Sequence, residues 1–294
     1  MIMATLDITT RVGCSIRCAY CPQELFCSRY AKVNGKAGKR MMSLEDFRAC
    51  VDKVPRSVQI HFAGLAEPFL NPDCMDMIRY ANERGHKFRI YTTLVGIRDI
   101  TSALDEISSM RNLVELNIHL PSRKEMWIPV DEKYLHGLEV ACKRIKPLKV
   151  VYFGELDERV REIVKNQQRN GVPLHDRAGA LDKDRLAGIG AGITHHRKEG
   201  VLACLSYGKR LDHNVLLPNG DVLLCYNDWG IRHVIGNLLS GDYASLFRSE
   251  EYKRAIRGLS DPKESLICRD CRFAIERKGI RGWAWHCLLP LRKP

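Results

Sequence analysis

The chain has 294 residues, enough to bury a sizeable core as one large α/β domain or as one domain with an appendage. Lys and Arg number 47 against 35 Asp and Glu, a formal charge of +12 that favours anionic partners: a phosphorylated or nucleotide-linked small molecule, an acidic protein donor, or nucleic acid, for which no motif is present. No apolar run reaches membrane-spanning length and Met1-Ile2-Met3-Ala4 leads into a strand pattern, so we expect a soluble, cytoplasmic protein whose twelve cysteines do metal or redox work and exclude a disulfide scaffold.

The opening run, residues 5–10, alternates Leu6 and Ile8 with polar neighbours and reads as a strand. Residues 11–40 are polar, basic and glycine-containing, which predicts a long wrapping loop. A helix then starts at Ser43 as N-cap, with Glu45 and Asp46 in its first turn. Strands are expected at 58–64, 88–93, 114–120 and 149–153, and helices at about 72–84, 101–109, 131–145 and 157–170. Such alternation is the pattern of a parallel α/β sheet, whose working residues gather at the carboxyl ends of the strands. From about 171 to 203 the chain is glycine-rich and irregular, and a C-terminal unit begins near 200. Within it, residues 215–224 form a hairpin around the Asn219-Gly220 turn.

Three groups of residues carry chemistry. Cys14, Cys18 and Cys21 follow the first strand with three and then two residues between them. Cys27 is separated from them by Pro22 and four further residues, so no fourth thiolate completes a ferredoxin-like set. Three thiolates on a cubane leave one iron open to a small molecule; zinc, which normally draws on a second ligand pair, is the plainer alternative. Gly64-Leu65-Ala66-Glu67-Pro68 ends the second strand, where a glycine admits a close ligand and a carboxylate accepts from an ammonium group. In the tail, Cys204, Cys225 and the pair Cys268 and Cys271 can surround one metal centre, with four-thiolate zinc again the alternative.

The first cysteine loop, with the aromatic Tyr20 before its last cysteine, resembles the signature of the radical S-adenosylmethionine (SAM) superfamily. The Gly64–Pro68 segment resembles the family's Gly-Gly-Glu-Pro element, with Ala66 in place of the second glycine. Tyr91-Thr92-Thr93-Leu94 resembles its Thr-Asn-Gly element, without the Asn. The tail cysteines, with Gly220 and Ile235-Gly236-Asn237-Leu238, resemble the twitch domain, the short form of the SPASM domain.

This resemblance implies an α/β fold: a partial (β/α)6 radical SAM barrel over residues 1–200 and a small auxiliary-cluster (twitch) domain over 201–294. It implies SAM and two [4Fe-4S] clusters, one on Cys14, Cys18 and Cys21, the other on Cys204, Cys225, Cys268 and Cys271. Tyr20, Gly64, Glu67, Thr93, Asn117 and His119 are the implied cofactor contacts. A 5′-deoxyadenosyl radical would then take hydrogen from a substrate carbon. Arg177 is similar in setting to an arginine near the substrate in twitch enzymes that oxidise cyclitol alcohols, and Cys287 is the candidate hydrogen-atom donor for an epimerisation, with a core thiol beside Trp283 and Trp285 as its alternative. The implied partners are a polyhydroxylated or sugar-like small molecule and an acidic electron donor such as flavodoxin or ferredoxin. Two other functions compete: a maturase of ribosomal peptides, and a non-catalytic iron-sulfur or zinc sensor, which leaves Glu67 without a task.

Overall fold

The computed structural model describes residues 3–167, 169–171, 176–181, 197–205 and 210–276. In chain order its elements are β1 (Thr5–Ile8), β2 (Arg17–Cys18), α1 (Gln23–Asn34), α2 (Leu44–Val51), β3 (Gln59–Phe62), α3 (Cys74–Glu83), β4 (Phe88–Thr92), α4 (Ile100–Ser109), β5 (Leu113–His119), β6 (Met126–Trp127), α5 (Glu132–Arg144), β7 (Leu148–Tyr152), α6 (Glu158–Ile163) and β8 (Arg169–Gly171). The tail adds β9 (Leu202–Cys204), β10 (His213–Leu216), β11 (Asp221–Leu223), β12 (Val234–Asn237), α7 (Tyr243–Leu246), α8 (Glu250–Gly258) and β13 (Ala274–Glu276).

Strands β1, β3, β4, β5, β7 and β8 lie side by side in that order, each parallel to the next, and helices join them. This is the expected parallel α/β core. Helix starts follow local chemistry: Ser43, Asp99 and Asp131 each accept a hydrogen bond from the backbone N–H three residues on. Gly85, at φ 79°, closes the turn after α3 in a conformation that disfavours a side chain. Leu6 and Ile8 of β1 are fully buried, as are Ile60, Phe62, Phe88 and Ile90 of its neighbours.

Two expectations need correction. Residues 11–40 are not one long loop, because α1 occupies twelve of them. Its buried residues are Phe26 and Tyr30, four residues apart, which pack against Val12 and Trp229 in a small cluster of their own. The helix expected over 157–170 stops at Ile163, after which β8 joins the sheet edge beside β7.

The tail is built onto this sheet. β10 pairs in parallel with β1, opposite β3, and β11 and β12 continue outward antiparallel, so that among the described residues the sheet has nine strands. Gly220 takes φ 85° in the turn between β10 and β11, as the Asn-Gly pair predicts. Among the described residues no helix is long and apolar enough to cross a membrane, and none of the described cysteines is in a disulfide.

Candidate active site

The carboxyl ends of β1, β3 and β4 are tied together by side chains that the sequence places there. At the end of β1, Thr9 Oγ1 accepts from Leu65 N–H at 3.1 Å and Thr10 Oγ1 donates to the Pro68 carbonyl at 2.9 Å. Gly64 crosses directly over this point at φ 60°; a Cβ there would stand 2.4 Å from Thr9 Oγ1 and 2.6 Å from Thr9 Cα. Gly64→Ala is therefore expected to destabilise the protein by about 2–4 kcal/mol, from steric overlap and a strained φ, read as a lowered Tm.

Glu67 acts as a bolt between loop and strand. Its Oε1 accepts from Thr92 Oγ1 at 2.7 Å and Phe69 N–H at 3.3 Å; its Oε2 accepts from both Thr93 N–H and Thr93 Oγ1 at 2.7 Å. Burial pushes this carboxyl up to about 6 while those donors pull it down. Leu94, in the position of the family's Asn, takes the left-handed conformation at φ 66° and donates its N–H to Thr92 Oγ1 at 2.8 Å. A branched residue there carries strain of about 1–2 kcal/mol, so the backbone shape persists without the residue that normally favours it.

The cysteine loop faces this bolt. Cys14, Cys18 and Cys21 line one cavity of about 750 Å³ together with Tyr20, Gly64, Glu67, Thr93, Asn117, His119 and Arg177. All the described site residues expected from sequence around the first cluster thus meet in one place, and Cys287 lies outside the described residues. Tyr20 is buried, donates to Met126 Sδ at 3.3 Å, and packs on Phe153 with centroids 4.3 Å apart. Gln23, at the start of α1, donates to the Leu65 carbonyl at 2.7 Å, joining the cysteine loop to the Glu67 loop. Burial first, then the neighbouring thiols, pushes Cys18 up to about 12, and burial also raises Cys14. Crowded, half-buried thiols of this kind give up their protons when metal supplies the compensating charge, so the donor set fits a cluster.

Below the loop the barrel interior is polar, a feature that the sequence pattern alone did not disclose. Period-two alternation sends Thr5 and Asp7, Gln59 and His61, Arg89 and Tyr91, Asn117 and His119, and Lys149 to the cavity wall, while their alternate neighbours enter the core. His213 of β10 joins them and accepts or donates at Thr5 Oγ1, 2.7 Å away. Burial, then the charge of Arg177, lowers His119 to about 4; burial, then His61, lowers His213 to about 3, so both rings are neutral near pH 7. Asn117 Oδ1 and Trp229 Nε1 are buried on this wall without a hydrogen-bond partner, polar atoms that a bound ligand would satisfy.

Arg177 links the two ends of the chain across the roof. Its Nε donates to the Tyr20 carbonyl at 3.5 Å, and its guanidinium stands 5.8 Å from the Tyr20 ring and 6.0 Å from the Trp229 ring, which belongs to the tail. It does so from a left-handed backbone, φ 54°, next to Ala178 at 55°. Non-glycine residues held there store strain and collect at working sites.

In the tail, Cys204, Cys225, Cys268 and Cys271 border one small cavity of about 20 Å³. β9 supplies the first, the end of the hairpin the second, a 3-10 turn over Ile267–Arg269 the third, and the residue after its C-cap Asp270 the fourth. Asn227 supports them, its N–H 3.5 Å from Cys225 Sγ and its Nδ2 3.7 Å from Cys271 Sγ. Burial first raises Cys225 and Cys268, the latter to about 12, and the neighbouring thiols add to it. These four thiols border a common space, and four cysteine thiolates are the donor set that a [4Fe-4S] cluster takes.

A parallel α/β barrel with a thiol loop at its mouth and a second thiol group in its tail has the donor groups that an iron-sulfur enzyme needs. The profile of the Radical SAM superfamily matches residues 8–166, and that of an iron-sulfur cluster-binding domain, SPASM, matches residues 204–272. The chain belongs to the radical SAM superfamily, in its twitch/SPASM branch. It is accordingly a radical SAM enzyme that uses SAM, a [4Fe-4S] cluster and an auxiliary iron-sulfur cluster.

Among solved structures it is similar to BtrN in complex with AdoMet and 2-DOIA, at 15% identity and TM-score 0.59, over 92% of this chain and 94% of that one. It is also similar to Streptococcus suis SuiB bound to precursor peptide SuiA, at 12% identity and TM-score 0.58, over 87% and 67%. Native anSMEcpe with bound AdoMet matches at 12% identity and TM-score 0.52, over 91% and 86%. At these identities the likeness shows the fold alone. No curated protein sequence matches the chain.

Proposed function

We propose that this enzyme abstracts hydrogen from a polyhydroxylated or sugar-like small molecule held in the barrel, leading to oxidation or epimerisation. The observation that carries this reading is the cavity of about 750 Å³ whose wall carries Asp7, His61, Arg89, Asn117 and His119 among apolar neighbours. Cavities of about 300–1,000 Å³ each hold one small ligand, so one shared between SAM and substrate suits a ring-sized molecule better than a folded peptide. BtrN, similar over nearly its whole length, was solved with AdoMet and 2-DOIA.

When bound to the cluster of Cys14, Cys18 and Cys21, SAM supplies the radical that removes the hydrogen atom. Gly64, packed on Thr9 where a Cβ would stand, keeps its loop at the cavity wall, and Glu67 holds Thr93 at the end of β4 for contact with the cofactor. Asn117 offers a free acceptor, and Arg177 reaches over Tyr20 to close the roof on the substrate. Cys204, Cys225, Cys268 and Cys271 would hold the auxiliary cluster. The formal +12 charge suits an acidic electron donor such as flavodoxin or ferredoxin.

A second reading, a peptide maturase, is favoured by the likeness to SuiB bound to its precursor peptide and to anSMEcpe bound to AdoMet and the Cp18Cys peptide. Formation of 5′-deoxyadenosine from SAM by the reduced enzyme, with cyclitols and with short cysteine- or lysine-containing peptides added separately, tests the two. A several-fold stimulation by a cyclitol alone is the expected result, and stimulation by peptides alone overturns the small-molecule reading. Changing Cys268 and Cys271 to alanine is expected to lower bound iron from about eight to about four atoms per chain while SAM is still cleaved.

A further inference from the structure

The floor of the cavity holds a hydrogen-bonded belt that neither the cysteine loop nor the Glu67 bolt uses. Asp7 of β1 stands level with His61 of β3, and His61 with Arg89 of β4, and Arg89 with Glu115 of β5, one inward residue from each of four adjacent strands. Arg89 Nε donates to Gln59 Oε1 at 3.1 Å and Arg89 Nη1 to Glu115 Oε1 at 3.2 Å. His61 Nε2 lies 2.8 Å from the same Gln59 oxygen.

This geometry settles the donors. Arg89 only donates, so the oxygen of Gln59 faces it, and His61 must present an N–H at Nε2 to the same oxygen. In the neutral ring His61 Nδ1 then carries a lone pair, and it lies 3.1 Å from Asp7 Oδ1, which is buried without an aligned hydrogen bond. Asp7 Oδ1 thus keeps acceptor capacity that a donor placed beside the pair can fill. Higher on the wall, on β5, Asn117 Oδ1 is a second buried acceptor without a partner, and Asn117 is 4% exposed. Both residues line the same cavity.

We infer that this floor is the substrate subsite, in which Asp7 with His61, and Asn117 across from them, accept hydrogen bonds from the O–H or N–H donors of a polyol or amino-polyol ring. The inference rests on the small-molecule reading above and names the groups that would select its substrate. Arg89 and Gln59 act as positioning residues that hold His61 in one tautomer. A substrate rich in donors is favoured over one whose polar groups are only acceptors, because an acceptor-only ligand displaces water from Asp7 and Asn117 without replacing its hydrogen bonds.

Anaerobically reconstituted enzyme with SAM, kept oxidised so that no turnover occurs, is titrated calorimetrically with myo-inositol and with 2-deoxystreptamine. At least one is expected to bind, and Asp7→Asn is expected to weaken it about ten-fold or more, with iron content and Tm as for the unchanged protein. Loss confined to 2-deoxystreptamine identifies an ammonium at Asp7, and loss of both identifies a hydroxyl. His61→Gln provides an independent variant should Asp7→Asn fold poorly, with the same weakening expected. Binding unaltered in both variants, or binding of neither probe by the unchanged protein, overturns the subsite. If SAM cleavage by the reduced enzyme persists in that case, the enzyme assignment stands and only the subsite falls.

Discussion

Replacing Glu67 by alanine is expected to lower stability by about 2–6 kcal/mol and to abolish SAM cleavage. The carboxylate is fully packed away, and four donors converge on it: Thr92 Oγ1, both Thr93 N–H and Thr93 Oγ1, and Phe69 N–H. Hydroxyls can rotate to other partners, but the two backbone N–H groups cannot, and each buried orphan costs about 1–3 kcal/mol. The same change frees the Gly64–Pro68 loop from the end of β4, so the floor and wall of the cofactor site lose their registration.

Glu67→Gln keeps one oxygen but turns an amide N–H toward existing donors, and a smaller loss, about 1–3 kcal/mol, is expected. A pH signature accompanies it. The folded protein holds the Glu67 proton more tightly than the unfolded chain does, from the usual 4.5 up to about 6. Stability therefore falls as pH rises through that window, by roughly 2 kcal/mol, and levels off above it. The Gln variant lacks this slope. Calorimetry of both variants across the window checks the account, and an alanine variant melting with the unchanged protein would remove the bolt from it.

Changing any one of Cys14, Cys18 and Cys21 to alanine is expected to reduce SAM cleavage to background and bound iron to about four atoms per chain. These thiols share one cavity with Glu67, and their mutual crowding means that the loss of one leaves no spare ligand in place. Cys74→Ala is the informative contrast. Cys74 is wholly buried in the apolar core at the start of α3, so its loss costs packing alone and leaves iron unchanged. Iron analysis and 5′-deoxyadenosine assays on the four variants separate the two kinds of cysteine. Retained cleavage without Cys18 contradicts the ligand assignment.

The parallel strands were legible because each is bounded by caps and turns with strong local chemistry, such as Ser43, Asp99, Asp131 and Gly85. The cysteine loop and Glu67 were legible because their spacing is rare outside one chemistry. Helix α1 was not, since its stabilising contacts come from Val12 and Trp229, distant in sequence and invisible to a local pattern. The polar barrel floor escaped notice for a related reason. Asp7, His61 and Arg89 each look like ordinary polar alternation on a half-exposed strand, and only their meeting across three strands makes them an interior feature. The signal was present as polar residues at most inward positions of the parallel strands, Val151 of β7 being an apolar exception.

The contact of Glu67 was also not predictable in detail. A carboxylate after a strand suggests a ligand to an ammonium group, whereas here it spends all four acceptor positions on Thr92, Thr93 and Phe69. Two threonines in a row at the end of β4 are the feature that turns it inward, because their hydroxyls and one N–H face the loop together.

Anaerobic reconstitution followed by iron and sulfide analysis, with 5′-deoxyadenosine measured under a strong reductant, tests the central claim most directly. The predicted result is about eight irons per chain with SAM cleaved, the content of two four-iron clusters. Iron bound without any cleavage of SAM would contradict it.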